Sequence, residues 1–162
     1  MELAARVLTV SDRAAAGTRE DRSGPALVER LTAAGWRCDA PIVVTDGTVP
    51  VRDALVTLTN GFAGLVVTTG GTGFAPSDRT PEATREVIER EAPGLAEATR
   101  APNPLGQLSR GVAGIVGRCV ILNVPGSVAG ATESLEAVLE MLPHAVALVV
   151  GDDPHCPGGG QS

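Results

Sequence analysis

Short apolar runs alternate with stretches of helical periodicity along most of the chain, the pattern of βαβ units built on a largely parallel sheet. Leu3 to Val10, with Val7, Leu8 and Val10, reads as a first strand. From about Ser23 to Ala34, Leu27, Leu31 and Ala34 share one helical face, and Gly35 closes the helix. Asp21 and Ser23 are both placed to cap its start. Pro41 to Thr45 supplies a second strand through Ile42, Val43 and Val44. Thr48 can cap a helix in which Val51, Leu55 and Leu58 recur at i, i+4 and i+7, ending near Asn60-Gly61.

Leu65 to Thr69 is a continuous apolar run, as expected of a strand covered on both faces. Thr80 as N-cap and Pro81 at the first helical position open a helix running to about Glu91. A further helical stretch spans Pro93 to Arg100, whereas Arg100 to Ser109 reads as irregular. Cys119 to Asn123 is a fourth core strand. Leu135, Val138, Leu139 and Leu142 then mark the clearest helix, and His144 to Val150 continues as a packed segment. Residues 1–151 therefore read as one α/β domain, with 152–162 as a disordered tail.

Composition narrows the chemistry. The 162 residues suit one domain, and 43% hydrophobic with 20% charged residues is ordinary for a globular chain. No run approaches the roughly 18 apolar residues of a membrane span. The start, Met1 to Arg6, lacks a basic segment followed by an apolar core, so a cytoplasmic protein is expected. A net charge of −6, with Trp36, Phe62 and Phe74 as the sole aromatics, argues against nucleic-acid binding. All 13 basic side chains are arginine, which excludes Schiff-base lysines and the lysine of a Walker A loop. Cys38, Cys119 and Cys156 are too scattered for a metal site; Cys38 and Cys119 read as small core residues of a reducing compartment. With only His144 and His155, a histidine-dependent catalytic triad is not expected.

Three turns at the carboxyl ends of predicted strands carry the remaining chemistry: Ser11-Asp12-Arg13, Gly70 to Gly73, and Asn123 to Ser127. Ligands of open α/β sheets bind outside those strand ends, which makes the three turns neighbours. Gly70-Gly71-Thr72-Gly73 after Thr69 can approach a ligand closely and offer successive N–H groups to an anion, or serve as a tight strand–helix connection. Asp78 either complements the helix that starts at Thr80 or holds Mg²⁺ beside a phosphate. Asp46 is either a turn residue or a second carboxylate of that site. Two carboxylates beside a phosphate cradle would fit metal-assisted phosphoryl or nucleotidyl transfer.

The run Thr69-Gly70-Gly71-Thr72-Gly73-Phe74-Ala75-Pro76-Ser77-Asp78-Arg79-Thr80-Pro81-Glu82-Ala83-Thr84 resembles the T-G-G-T-G-x-x-x-x-D-x-T-P-E-A-T segment of the MogA/MoaB molybdopterin-binding family. Thr9-Val10-Ser11-Asp12, Leu108-Ser109-Arg110 and Asn123-Val124-Pro125-Gly126-Ser127 resemble further motifs of that family, in the same order, so the likeness runs from about Leu3 to Gly151. It implies a three-layer α/β fold and a homo-oligomer, trimer or hexamer. The implied activity is adenylylation of molybdopterin by Mg-ATP with release of pyrophosphate, followed by hand-over to a molybdate-inserting enzyme. The implied alternative is a non-catalytic molybdopterin carrier of the same fold.

By position, the resemblance makes Asp46 and Asp78 the catalytic, Mg²⁺-associated carboxylates. It makes Ser11, Asp12, Thr69, Gly70, Gly71, Thr72, Gly73, Ser109, Arg110, Asn123, Pro125, Gly126 and Ser127 ligand-binding. By charge alone, Arg13, Arg79 and Arg110 are candidate phosphate partners or solvated surface residues. The chain departs from the family pattern between Gly94 and Ser109, where Asn103-Pro104-Leu105-Gly106 stands in place of T-P-x-A.

Overall fold

The computed structural model describes residues 1–151, so the tail expected at 152–162, with His155 and Cys156, lies outside the described residues. The apolar runs become the centre of one sheet. Strand β1 (Ala4–Val10) pairs in parallel with β4 (Ala63–Thr69), which pairs in parallel with β7 (Arg118–Val124). The outer edge of β1 is shared by β2 (Arg37–Cys38), beside Ala4 and Ala5, and β3 (Ile42–Val44), beside Leu8 to Val10. The expected second strand is thus the latter half of a broken edge. Pro41, which has no N–H for a ladder, stands at the break.

On the far side, β6 (Ala113–Val116) runs antiparallel to β7, and β5 (Arg90–Glu91) antiparallel to β6. Neither was expected, and β5 corrects the helix drawn to Glu91. Helix α4 (Thr80–Val87) stops because Ile88 turns extended and lies over Gly114, whose missing side chain leaves room for it. Glu89 N–H then donates to Ile115 O at 2.8 Å, and the chain joins the sheet. The stretch expected to be irregular contains a 3₁₀ turn at Pro104–Leu108, started by the Asn103 side chain accepting from Leu105 N–H.

A single helical turn, α1 (Asp12–Ala15), follows β1, and strand alternation divides the core into two layers. Ala5, Val7, Leu65, Val67, Val120, Leu122 and Val124 face α2 (Ser23–Ala33), α5 (Pro93–Arg100), α6 (Val128–Val138) and α7 (Leu142–Val150). Leu8, Val10, Val66 and Ile121 face α3 (Thr48–Thr59) and α4. The result is a three-layer α/β fold with a mostly parallel sheet, order β2-β1-β4-β7-β6-β5 with β3 also on β1. Cys119 is buried as expected, whereas Cys38 is only half-buried because β2 is an edge strand. Among the described residues no helix is long and apolar enough to cross a membrane.

Leu135 is fully buried where α6 meets the sheet. Leu135→Ala should lower unfolding free energy by about 2–5 kcal/mol, from lost transfer energy and the cavity left behind. Val56→Ala, on the exposed face of α3, should change it by no more than about 0.5 kcal/mol. Denaturant midpoints of the two variants check the difference.

Candidate active site

Register brings the strand ends level: Thr9 lies opposite Thr69, which lies opposite Val124, and Val10 lies opposite Val44. Four turns therefore leave the sheet side by side, and they enclose a cavity of about 570 Å³. Its lining includes Ser11, Asp46, Thr69, Gly70, Gly71, Asp78, Gly126 and Ser127.

The glycine turn is built by close backbone approach. Gly70 (φ +98°) sits directly against the Val10 carbonyl, where an added Cβ would overlap it. A Cβ on Gly126 would lie 3.1 Å from Gly70 Cα. Gly71 (φ +67°) lies against Thr80 and within reach of Asp46. Thr80 closes the turn, donating its N–H to Gly71 O at 3.0 Å and its hydroxyl to Gly70 O at 2.9 Å.

The two carboxylates arrive on different loops. Asp46 and Asp12 clasp each other: Asp46 N–H donates to Asp12 Oδ1 at 2.9 Å, and Asp12 N–H donates to Asp46 Oδ2 at 3.1 Å. Partial burial pushes the Asp46 carboxyl above its ordinary pKa; the bond from Asp12 N–H opposes this, and the charges of Asp12 and Asp78 add to it. Asp78 Oδ2 accepts from Ala75 N–H at 3.0 Å. Among the described residues no three ligating side chains cluster to cage a cation. Asp46 and Asp78 with open space between the loops fit Mg²⁺ instead, which is usually held by one or two carboxylates together with phosphate oxygens.

The opposite wall of the cavity comes from Thr9 and from residues the motifs did not single out: Arg19, Glu20, Asp21, Arg22 and Ser23. The N-cap position of α2 is Arg22, and Asp21 just before it accepts from Gly24 N–H at 3.1 Å while Thr9 donates its hydroxyl to Asp21 at 2.9 Å. Ser127 caps α6 by accepting from Gly130 N–H at 3.0 Å. The Thr69 hydroxyl, 2.7 Å from Pro125 O and 3.1 Å from Ser23 Oγ, joins the starts of α2 and α6 to β4. The positive ends of α2 and α6 thus meet the cavity on one side of the sheet, and Asp46 and Asp78 on the other. The signal in the sequence was Asp21 three residues before Gly24, an acid at capping distance from a glycine that admits no side chain.

Asp12, Thr72, Gly73, Ser109, Arg110, Asn123 and Pro125 do not line this cavity, and neither do Arg13 and Arg79. Asn123 is 2% exposed and fully engaged: its Oδ1 accepts from Val112 N–H, and its Nδ2 donates to the Thr68 and Thr84 hydroxyls. It is a core bracket between β4, β7 and α4, where a ligand has no access. Ser109 Oγ accepts from Gly111 N–H, and Ser109 and Arg110 line a separate cavity of about 480 Å³ beneath α5. Arg110 Nε donates to Gly73 O, and its Nη1 pairs with Glu82.

Residues 6–144 match the family described as "Probable molybdopterin binding domain". The chain belongs to that family. Among its members, a molybdopterin adenylyltransferase from Helicobacter pylori is 38% identical over 156 residues, covering 90% of this chain and 87% of that one. The crystal structure of the molybdopterin biosynthesis enzyme MoaB from Thermus thermophilus superposes with a TM-score of 0.85 at 47% identity, covering 92% of this chain and 97% of that one. The molybdenum cofactor synthesis protein cinnamon of Drosophila melanogaster is 38% identical over 154 residues; the alignment takes in 91% of this chain but only 25% of that protein's length.

The Asp46 environment gives a pH test. Its folded pKa lies above the unfolded value, so the folded state binds the proton more tightly, and stability from this group falls as pH rises through the folded pKa. Asp46→Asn keeps an oxygen for Asp12 N–H and removes the charge. In chelator-treated buffer it should melt higher than the parent near pH ~7, with the gap closing below pH ~4. Thermal melts across that range check it; a variant that melts lower throughout would show that the charge is not penalised.

Proposed function

We propose that this chain transfers the adenylyl group of ATP to molybdopterin, releasing pyrophosphate, as a step of molybdenum cofactor biosynthesis. The carrying observation is that Asp46 and Asp78, from loops after β3 and β4, share one cavity with the glycine turn and the N-termini of α2 and α6. The relatives named as molybdopterin adenylyltransferases support the same reading.

In this reaction an oxygen of the pterin's phosphate attacks the α-phosphorus of ATP. The bond from that phosphorus to the β-phosphate bridging oxygen breaks, and pyrophosphate leaves with the electron pair. The attacking phosphate is already largely ionised near neutrality, its second pKa being about 6, so no side chain need remove a proton. That suits a site whose lining holds no histidine or cysteine.

The difficulty is bringing two anions together. The lining has two cations, Arg19 and Arg22, against four acids, Glu20, Asp21, Asp46 and Asp78. Mg²⁺ held by Asp46 and Asp78 would supply neutralisation on the nucleotide's phosphates. N–H groups of the glycine turn and of the α2 and α6 termini orient the phosphates, with Arg19 and Arg22 adding positive charge on their side. The Asp12–Asp46 clasp keeps Asp46 in place without a ligand, so little rearrangement is needed at the moment of reaction. We further propose a cytoplasmic homo-oligomer, a trimer or hexamer, whose product passes to a molybdate-inserting enzyme.

Pyrophosphate release from Mg-ATP should depend on added molybdopterin. Asp78→Ala should reduce release at least about a hundredfold while leaving pterin binding largely intact. Pterin binding without any release from the parent protein would replace this function with that of a carrier.

A further inference from the structure

The segment Gly73–Asp78 carries one of the two proposed catalytic carboxylates, yet it has little hold on the core. Phe74 within it is 71% exposed. Its own bonds only fold it on itself: Asp78 N–H donates to Ala75 O, Ala75 N–H to Asp78 Oδ2, and Arg79 Nε to Pro76 O. Thr80 ties down the chain after it. The segment itself is spanned by one side chain from a distant part of the sequence. Arg110 Nε donates to Gly73 O at 2.8 Å, and Arg110 Nη2 donates to Asp78 O at 2.8 Å. Its backbone N–H donates to Thr72 O at 2.8 Å. The third nitrogen, Nη1, donates to Glu82 Oε1 in the first turn of α4 at 2.5 Å. This bond holds the Glu82 carboxyl below its ordinary pKa.

We infer that Arg110 is a positioning residue for Asp78: its guanidinium joins the first and last carbonyls of the loop and anchors both to Glu82. The inference rests on the function proposed above and replaces the ligand-binding role expected of Arg110. Each of its three nitrogens already has an acceptor in the loop or α4, and the residue does not line the cavity beside Asp78. The rigid fork of a guanidinium suits three acceptors set at fixed angles, which an ammonium serves less well. Arg110 thereby fixes the main chain of Asp78 relative to the clasped Asp46.

The test compares Arg110→Gln, Arg110→Lys and the milder Glu82→Gln in the full chain. Hydrogen exchange reads the loop without requiring turnover. The amides of Ala75 and Asp78 should exchange faster in Arg110→Gln than in the parent, with Glu82→Gln between them and with protection of β4 and β7 unchanged. In pyrophosphate release, kcat should fall roughly 10- to 100-fold in Arg110→Gln, as expected for a reacting group displaced by about an ångström. KM for molybdopterin should stay within about twofold, and Arg110→Lys should recover part of kcat. In an Asp78→Asn background, Arg110→Gln should cause no further loss, since its effect runs through Asp78. Unchanged loop exchange in Arg110→Gln would overturn the inference, as would molybdopterin binding weakened tenfold with the loop still protected. If the parent releases no pyrophosphate, the proposed function fails, while the exchange result still decides what Arg110 does.

Discussion

Backbone-to-backbone packing at Gly70 is the constraint on which the site depends. Parallel pairing brings β1, β4 and β7 to the same level, and Gly70 fits between the Val10 carbonyl and Gly126 only because neither glycine carries a side chain at the point of meeting. A side chain at Gly70 would push the β1 and β4 loops apart and separate Asp46, which β3 places beside Asp12, from the turn leading to Asp78. Thr69 and Thr80 then bond carbonyls that this approach has already put within reach. Hydroxyls and glycines, one residue apart, divide the work of closure and proximity.

Charge is unevenly distributed across the sheet edge. The α2 and α6 side presents helix N-termini with Arg19 and Arg22 beside Glu20 and Asp21, and the α3 and α4 side presents Asp46 and Asp78 alone. Under the proposed function a phosphorylated ligand lying across the edge would meet helix dipoles and arginines at one end and carboxylates at the other. The cost falls on Asp46, whose raised pKa records a carboxylate held partly out of water near two others. A carboxyl shifted by burial and a neighbouring like charge is a common feature of functional clefts.

Much of this was legible in the sequence because it is local. Continuous apolar runs marked β1, β4 and β7, and the period from Leu135 to Leu142 marked a helix after β7, which the structure breaks between α6, ending at Val138, and α7, starting at Leu142. Asp46 and Asp78 stood next to turns whose position at strand ends follows from the fold class. What escaped depends on distant pairings. The segment Arg90–Glu91 has no strand-like pattern of its own and extends only because Ala113–Val116 offers an edge. Asn123 and Arg110 occupy motif positions, but whether they face a ligand or the protein is decided by Thr84 and Glu82, far along the chain. Asp21 and Ser23 read as capping candidates for α2, since nothing nearby shows that α2 begins at the wall of a cavity.

The ends of the sheet have a bearing on how copies of the chain can meet. Among the described residues one edge carries Arg37–Cys38 and Ile42–Val44, split by a proline-containing break, and the other Arg90–Glu91. Neither exposes a ladder longer than three residues, and one ends in charged side chains. Edges this short, one interrupted at Pro41 and the other made of two charged residues, resist the sheet-to-sheet growth that drives fibrous aggregation.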